Sequence, residues 1–237
     1  IVSKGHAAMV QYPILADYDF FPRAELERFT QTGGLLGMYA DYRIPGIEGI
    51  SGSLGHGIGM GAGFALAGRQ NGEHYNNFII LGDGECYEGS IWESAMFAAH
   101  RKLDNLVAII DRNQLCIMGE TEDLLELGDL EEKWRSFGWH AVSVDGHSFD
   151  EIMPAFDLVG KTDGKPLAFA GLWERWTDSA GQLGPPGDKV RTCTIITGSP
   201  NEFMKRIHHR MPAILDDDGV AAWLDPSLTV PAAKDVL

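Results

Sequence analysis

Residues 78–113 (FIILGDGECYEGSIWESAMFAAHRKLDNLVAIIDRN) contain two short apolar runs that are separated by about one helix length. The first run, residues 78–81, stops at a Gly-Asp-Gly turn around Asp83, and the second, residues 106–110, stops just before Asn113. Two β-branched runs joined by an amphipathic helix predict a βαβ unit with parallel, neighbouring strands. The carboxyl ends of such strands lie side by side, at the edge where open α/β sheets bind ligands.

Asp83 and Asn113 would offer side-chain oxygens to a hard cation at that edge. Mg²⁺ is usually held by one or two carboxylates, with phosphate oxygens and water completing the octahedron. The helix predicted over residues 88–100 would direct its amino end to the tip of the first strand, a position suited to a diphosphate. Because Asp83, Glu85 and Glu88 would repel a bare phosphate, charge balance calls for a divalent cation. A Gly-Asp-Gly sequence alone also fits a tight turn, and the pairing with Asn113 is what favours a metal site.

The bulk composition is that of an ordinary globular protein. The chain has 237 residues, of which 44% are apolar and 22% charged. No apolar run reaches a membrane-spanning length and the first residues do not form a signal peptide, so we expect no membrane association. The three cysteines have spacings that predict neither a disulfide framework nor a zinc site, and we therefore expect a reducing, cytoplasmic location. The chain does not begin with Met, and we therefore expect it to start inside a longer gene product.

The net charge of −15 is unevenly distributed along the chain. Residues 1–160 contain 10 Lys and Arg against 24 Asp and Glu, whereas residues 161–237 contain 9 against 10. This step coincides with the linker-like residues 160–166 (GKTDGKP) and predicts two pieces of different origin. The acidic first part makes a nucleic-acid partner unfavourable, because such a partner needs Lys and Arg to neutralise its phosphates.

The remaining elements of residues 1–160 predict a doubly wound, mainly parallel sheet with flanking helices. Helices are expected over residues 7–18, 23–29, 129–137 and 149–159, and a strand over residues 139–144. Residues 31–53 and 116–128 predict loops, and long loops in compact domains are often functional. The closely spaced glycines of residues 55–67 predict a small-residue helix, because no strand precedes them as a dinucleotide fingerprint requires.

Several residues outside the central unit are candidates for ligand contact. His6 lies just before a predicted helix, where it could meet a ligand, and the alternative is an exposed cap-region histidine. His147 follows the strand over residues 139–144, where a loop or cap role is the commoner one. The turn Gly52-Ser53-Leu54 could approach a ligand with its backbone.

Residues 161–237 predict a small α+β fragment. Strands over residues 167–173 and 192–197, separated by a Gly/Pro-rich loop, predict an antiparallel pair. Short helices are expected over residues 201–208 and 217–224.

Four segments of the first part resemble, in order, the amino-terminal half of transketolases, which is often a separate subunit. They are SKGHAAM (3–9), GSLGHGIGMGAGFALA (52–67), LGDGECYEGSIWESAMFAAHRKLDNLVAIIDRNQ (81–114) and FGWHAVSVDGHSFDEI (137–152). The resemblance implies the thiamine-diphosphate-binding fold, with thiamine diphosphate and Mg²⁺, or Ca²⁺ or Mn²⁺ in its place, as cofactors. It also implies that Asp83, the Asn113 side chain and the Leu115 carbonyl hold the metal.

The same resemblance implies roles for the other candidates. Gly84 and Glu85 would lie along the diphosphate, Glu88 would belong to a carboxylate network that links the two sites of a dimer, and His56 stands where many relatives have Gln. The substrate and thiazolium side would be bordered by His6 and by the turn Gly52, Ser53 and Leu54. We take His6, His56 and Glu88 as the catalytic candidates.

The activity implied is that of a carbohydrate-metabolism transferase. Such an enzyme cleaves a ketose phosphate and passes a two-carbon ketol unit to an aldose, with the cofactor as electron sink. The carboxylate that activates the cofactor belongs to the other half of these enzymes, which implies a homo- or hetero-oligomer with a complementary, pyrimidine-binding subunit. A dehydrogenase-type thiamine enzyme is the alternative within this class, and it would share the metal motif without the SKGHAA and GSLGHG segments.

Residues 163–225 resemble the carboxyl-terminal part of the SOS-response-associated peptidases, which crosslink to abasic sites in DNA. The segments are GKPLAFAGLWERW (164–176), VRTCTIIT (190–197), IHHRMPAIL (207–215) and WLDP (223–226), and His208 matches the site histidine of that family. Its nucleophilic cysteine, asparagine and glutamate lie upstream and are missing here. We interpret the chain as a chimera of two truncated domains, residues 1–160 and 161–237. An inactive fusion and an abasic-site-crosslinking module are the alternative functions.

Overall fold

The structure is a computed structural model that describes residues 1–172, 197–198 and 211–212. The chain divides into two compact units, Ile1–Val190 and Arg191–Leu237. The helices of the first unit are α1 (Ala8–Asp17), α2 (Gly57–Gln70), α3 (Gly89–His100), α4 (Thr121–Leu124), α5 (Leu130–Ser136) and α6 (Phe149–Phe156), with 3-10 helices at Gly5–Ala7, Arg23–Arg28 and Gly84–Tyr87. Its strands are β1 (Asn77–Gly82), β2 (Leu106–Arg112), β3 (Leu115–Cys116), β4 (Gly119–Glu120), β5 (His140–Asp145) and β6 (Leu167–Leu172).

Four strands form a parallel sheet in the order β1-β2-β6-β5. The predicted βαβ unit is confirmed, because β1 and β2 are parallel neighbours in which Gly82 pairs with Asp111. Alternate residues of β2 face opposite sides of the sheet, as the two-residue period of a strand requires. Leu106, Ala108 and Ile110 pack with α2, α3 and α5, whereas Val107 and Ile109 pack with α6. Helices therefore cover both faces, and the predicted doubly wound sheet is confirmed.

The strand β6 lies in the middle of this sheet, which differs from the sequence prediction of an antiparallel pair between residues 167–173 and 192–197. Both edges of β6 are instead occupied by parallel neighbours, β2 on one side and β5 on the other. The predicted pairing is wrong. It relied on the local hairpin pattern, whereas the partner of a strand depends on packing between distant parts of the chain. The boundary predicted at residue 160 lies inside the first compact unit and stays a prediction.

An antiparallel pair does occur in the second unit, where β7 (Thr197–Gly198) pairs with β8 (Met211–Pro212). The helices predicted over residues 201–208 and 217–224 lie outside the described residues, as does His208.

The small residues of α2 allow close packing on one of its faces. A Cβ on Gly61 would meet the Ile79 side chain of β1, and a Cβ on Gly57 would meet Ser3. At Gly63 nothing lies within 4 Å. The predicted close packing is thus present at Gly55, Gly57 and Gly61 but not along the whole run.

The amino-terminal segments form a second hydrophobic cluster. The loop predicted over residues 31–53 has no helix or strand, but it contributes Leu36, Ile44 and Ile47 to a cluster with Tyr12 of α1. The helix predicted over residues 23–29 is a 3-10 helix. The loop predicted over residues 116–128 is wrong in part, because this stretch contains the antiparallel β3–β4 pair and α4. Among the described residues, no helix combines the length and the apolar character that crossing a bilayer demands.

Candidate functional site

Asp83 lies directly after β1 at the carboxyl edge of the sheet. It is only 1% exposed, and its two carboxylate oxygens accept the N–H groups of Gly84 (2.7 Å) and Gln114 (2.6 Å). Burial raises the pKa of Asp83, and these two hydrogen bonds lower it in part. A carboxylate oxygen has more than one lone pair, so each oxygen retains capacity for a further partner. Because burial penalises the charged form, a cation beside this group would be favourable.

Asn113 follows β2 at the same edge. Its Oδ1 accepts the N–H of Leu115 at 3.0 Å, and the next residue, Gln114, has a φ of 60°. This left-handed turn directs the Gln114 N–H to Asp83, while the Asp83 N–H donates to the Asp111 carbonyl at 3.1 Å. The structure therefore brings Asp83 and the turn after β2 together, as the sequence predicts.

The metal site itself stays a prediction. Within the described part of the chain, no group of three or more His, Cys, Asp or Glu could hold a metal ion. The predicted set, Asp83, Asn113 and Leu115, would contribute one carboxylate, one amide oxygen and one backbone carbonyl. These are oxygen ligands of the type that Mg²⁺ takes, and they leave several positions for phosphate and water. The residues present thus fit a cation that is bound together with a diphosphate.

The helix predicted over residues 88–100 is present as α3, which begins at Gly89 with Glu88 as its N-cap. Between Asp83 and α3 lies a 3-10 helix, Gly84–Tyr87, which the sequence did not predict. Glu85 lies in this 3-10 helix and is 2% exposed. Its carboxylate accepts hydrogen bonds from the Ser3 hydroxyl, from the Gly55 N–H at 2.8 Å and from the Gly82 N–H at 3.1 Å. The side chain therefore points into the protein, although its charge alone suggests a surface group near phosphate.

The segment around His6 is attached to the edge of β1. The Ser3 N–H donates to the Ile80 carbonyl at 2.8 Å, and Lys4 forms an ion pair with Asp111 of β2. His6 itself is exposed. Partial burial and then the charge of Lys4 lower the pKa of His6, and Asp111 opposes them. A neutral imidazole can both accept and donate a hydrogen bond, so His6 is suited to contact a substrate hydroxyl.

The loop that carries Gly52, Ser53, Leu54 and His56 packs against the start of α3. Its carbonyl at Gly55 accepts the Ser90 hydroxyl at 3.0 Å. Leu54 is half-buried, and the other three residues are exposed. Glu88, the third catalytic candidate, is also exposed, and its Cβ would lie 2.6 Å from a Cβ on Gly55. The loop and Glu88 are thus immediate neighbours.

Other residues of this edge were missed at the sequence level. Arg112 is 9% exposed, pairs with Glu122 at 2.8 Å and lowers the pKa of both Glu122 and Asp83. Lys4 is similarly buried in its ion pair with Asp111. Asp111 and Arg112 directly precede Asn113 at the end of a predicted strand. This position indicates that both residues lie at the same edge of the sheet as Asn113.

His147, the remaining candidate, lies farther along the sheet. It follows β5, and β6 separates β5 from β2. His147 is therefore not adjacent to Asn113 in the sheet.

Comparison with known proteins matches both resemblances. The family described as "Transketolase, thiamine diphosphate binding domain" matches residues 1–170, and the SOS response associated peptidase family matches residues 149–237. The two-part resemblance predicted from the sequence is therefore confirmed.

Individual relatives agree with the first match. The 6-deoxy-6-sulfo-D-fructose transketolase subunit SqwG of Clostridium sp. (strain MSTE9) is 42% identical over 167 residues, which are 70% of this chain and 61% of the relative. One of the apulose-4-phosphate transketolase subunits, from Phocaeicola vulgatus, is 38% identical over 166 residues, 70% of this chain and 59% of the relative. A crystal structure of a mutant transketolase from Pichia stipitis superposes with a TM-score of 0.69 at 31% identity, covering 73% of this chain and 27% of that chain.

The match thus extends over 61% and 59% of the lengths of the two subunit relatives. The parallel sheet, the polar residues at its carboxyl edge and the match to the transketolase family all lie in the first compact unit. The chain belongs to the transketolase family, through a thiamine diphosphate binding domain that matches over residues 1–170.

Proposed function

We propose that this chain is the diphosphate-binding component of a transketolase that uses thiamine diphosphate and Mg²⁺. It would transfer two-carbon ketol units between sugar phosphates in an oligomer with a complementary, pyrimidine-binding subunit. The observation that carries this proposal is the direct contact of three motif segments at the ends of β1 and β2. Glu85 hydrogen-bonds to Ser3 and Gly55, and Asp83 hydrogen-bonds to the turn after β2. Relatives that are named as transketolase subunits support the requirement for a second subunit.

The metal would be held by Asp83, the Asn113 side chain and the Leu115 carbonyl. Burial raises the pKa of Asp83, so a cation beside this carboxylate would favour its charged form. The backbone of Gly84 and Glu85 would run along the diphosphate. A divalent cation would offset the repulsion between the diphosphate and the acidic groups of this edge.

The exposed groups would face substrate and partner. When bound, thiamine diphosphate supplies the electron sink for cleaving the carbon–carbon bond. His6 would exchange a hydrogen bond or a proton with a substrate hydroxyl, and His56 with the turn Gly52-Ser53-Leu54 would form the opposite border. Glu88 is exposed at the start of α3, where it is accessible to a carboxylate of a second chain.

A calorimetric titration of thiamine diphosphate in the presence of Mg²⁺ tests this function. We expect the wild type to bind and Asp83→Ala to bind about 10- to 150-fold more weakly, because a charged contact contributes about 1.5–3 kcal/mol. Glu73→Gln is the matched control, since Glu73 is an exposed carboxylate beyond the end of α2. Chelation of the metal should abolish wild-type binding. Absence of wild-type binding with Mg²⁺ present would overturn the proposal and favour an inactive fusion.

The match of residues 149–237 supports one second candidate, an abasic-site-crosslinking module built on His208. It requires a covalent adduct between the chain and abasic single-stranded DNA, formed more slowly by His208→Ala. If no adduct can be trapped, this candidate is removed. We propose that the chain is a chimera in which residues 1–160 hold the cofactor site.

A further inference from the structure

Glu85 connects three chain segments beneath the site. One carboxylate oxygen accepts both the Ser3 hydroxyl and the Gly55 N–H, and the other accepts the Gly82 N–H. Ser3 precedes His6 on the first segment, Gly55 lies between Leu54 and His56 on the second, and Gly82 precedes Asp83. A single buried side chain is therefore bonded to each of the three segments that the proposed function requires.

The connection continues beyond Glu85. The Ser3 hydroxyl oxygen also accepts the N–H of Gly57 at 3.1 Å, which is the first residue of α2. A Cβ on Gly57 would collide with Ser3, so the two segments approach as closely as glycine permits. The chain of hydrogen bonds thus runs from the end of β1 through Glu85 and Ser3 to the amino end of α2.

The chemistry of this position requires a carboxylate. A buried ionised group is costly unless its oxygens are hydrogen-bonded, and here both oxygens accept hydrogen bonds from donors. A glutamine at residue 85 would direct its amide N–H₂ at the Gly82 N–H or at the Gly55 N–H. Either orientation places donor against donor, and one backbone N–H would lose its partner.

We propose that Glu85 is a positioning residue. It holds two segments, the one that carries His6 and the one that carries Leu54 and His56, at a fixed distance from Asp83 before the cofactor binds. This inference rests on the proposed function. Its carboxylate acts through Ser3, Gly55 and Gly82 and does not touch the ligand. Cofactor binding is strengthened because the site does not have to be ordered when the ligand arrives.

The test compares Glu85→Gln and Ser3→Ala with Leu103→Ala as a control. Leu103 is 0% exposed after α3 and lies in the main core, so its truncation lowers stability without altering these hydrogen bonds. Hydrogen exchange of the free proteins is followed by mass spectrometry in peptides covering residues 1–8, 50–58 and 91–100. The dissociation constant and the stoichiometry for thiamine diphosphate with Mg²⁺ are measured by calorimetry.

For Glu85→Gln we expect about tenfold faster exchange in residues 1–8 and 50–58, unchanged exchange in residues 91–100, and a dissociation constant raised about tenfold at unchanged stoichiometry. Ser3→Ala should show the same pattern to a smaller extent, and it serves as the test if Glu85→Gln does not fold. Leu103→Ala should lower the midpoint of thermal unfolding without changing the dissociation constant of the folded protein.

Two results would overturn the inference. The first is unchanged exchange in residues 1–8 and 50–58 of both site variants. The second is a lower binding stoichiometry at an unchanged dissociation constant, which is what a purely structural role produces. If the wild type binds no thiamine diphosphate, the proposed function fails, whereas the exchange measurement still decides whether Glu85 orders these segments.

Discussion

Gly55 should not tolerate a side chain, whereas Gly63 in the neighbouring helix should. Gly55 has a φ of 85°, and a Cβ there would lie 2.6 Å from the Cβ of Glu88 and 2.5 Å from the Ser90 hydroxyl oxygen. A left-handed conformation costs about 1–2 kcal/mol for a residue with a Cβ. Displacing Ser90 would also cost its hydrogen bond to the Gly55 carbonyl, about 0.5–1.5 kcal/mol. Reduced freedom of the unfolded chain offsets about 0.4–1 kcal/mol of this.

We therefore expect Gly55→Ala to lower the free energy of unfolding by about 0.5–3 kcal/mol. Gly63 is exposed in the middle of α2, and nothing lies within 4 Å of a Cβ placed there. Gly63→Ala should raise the free energy of unfolding by about 0.5–1 kcal/mol, because alanine favours a helix interior over glycine. The same chemical change thus has opposite signs at two positions of one motif.

Urea unfolding followed by circular dichroism measures both variants against the wild type. Equal effects of the two substitutions, or a stabilising effect at Gly55, would refute the reasoning. Thiamine diphosphate binding adds a functional readout, because Gly55→Ala would shift the loop away from Glu88. The Gly63→Ala protein should bind with the wild-type dissociation constant.

Two further predictions concern the second cluster and the sheet. Burial, with a contribution from Asp41, raises the pKa of Tyr12 to about 12. An unfolded tyrosine has a pKa of about 10, so the stability that comes from keeping Tyr12 protonated should be complete below about pH 10 and be lost as the pH rises toward 12. In urea unfolding, Tyr12→Phe should reduce the pH dependence of the free energy of unfolding over this range. Equal pH profiles of the wild type and the variant would contradict the prediction. A chain that ends at residue 160 lacks β6, so it should not give a cooperative thermal transition, whereas a chain that ends at residue 190 should. Cooperative unfolding of the shorter chain would show that β6 is dispensable.

The features that the sequence predicts correctly are set by local pattern. The runs on either side of Asp83 and before Asn113 are short, β-branched and joined by one helix, so their parallel pairing follows from connection length and handedness. Once β1 and β2 are neighbours, the residues after each strand lie at one edge. The contact between Asp83 and the turn after Asn113 could therefore be predicted without knowledge of the rest of the fold.

The environment of Glu85 could not be predicted in this way. Its place beside Asp83 in an acidic segment suggests a solvated charge near phosphate. In the structure it is buried, because donors from Ser3, Gly55 and Gly82 converge on it from three parts of the chain. This convergence of donors depends on packing between distant segments, and neither the hydrophobic periodicity of the sequence nor the spacing of its motifs predicts it.

The strand β6 supports the strand that leads to the candidate site, and it lies where the matches to the two families overlap. The matches to the two families overlap over residues 149–170, which include α6 and most of β6. An unpaired strand edge leaves its backbone N–H and C=O groups without partners, and β6 satisfies those of β2 from Val107 to Arg112. The strand that ends just before Asn113 is thereby paired on both sides. If the chain is the fusion that we propose, β2 still has a neighbouring strand on each side. The second neighbour is β6, whose residues follow the step in net charge at residue 160.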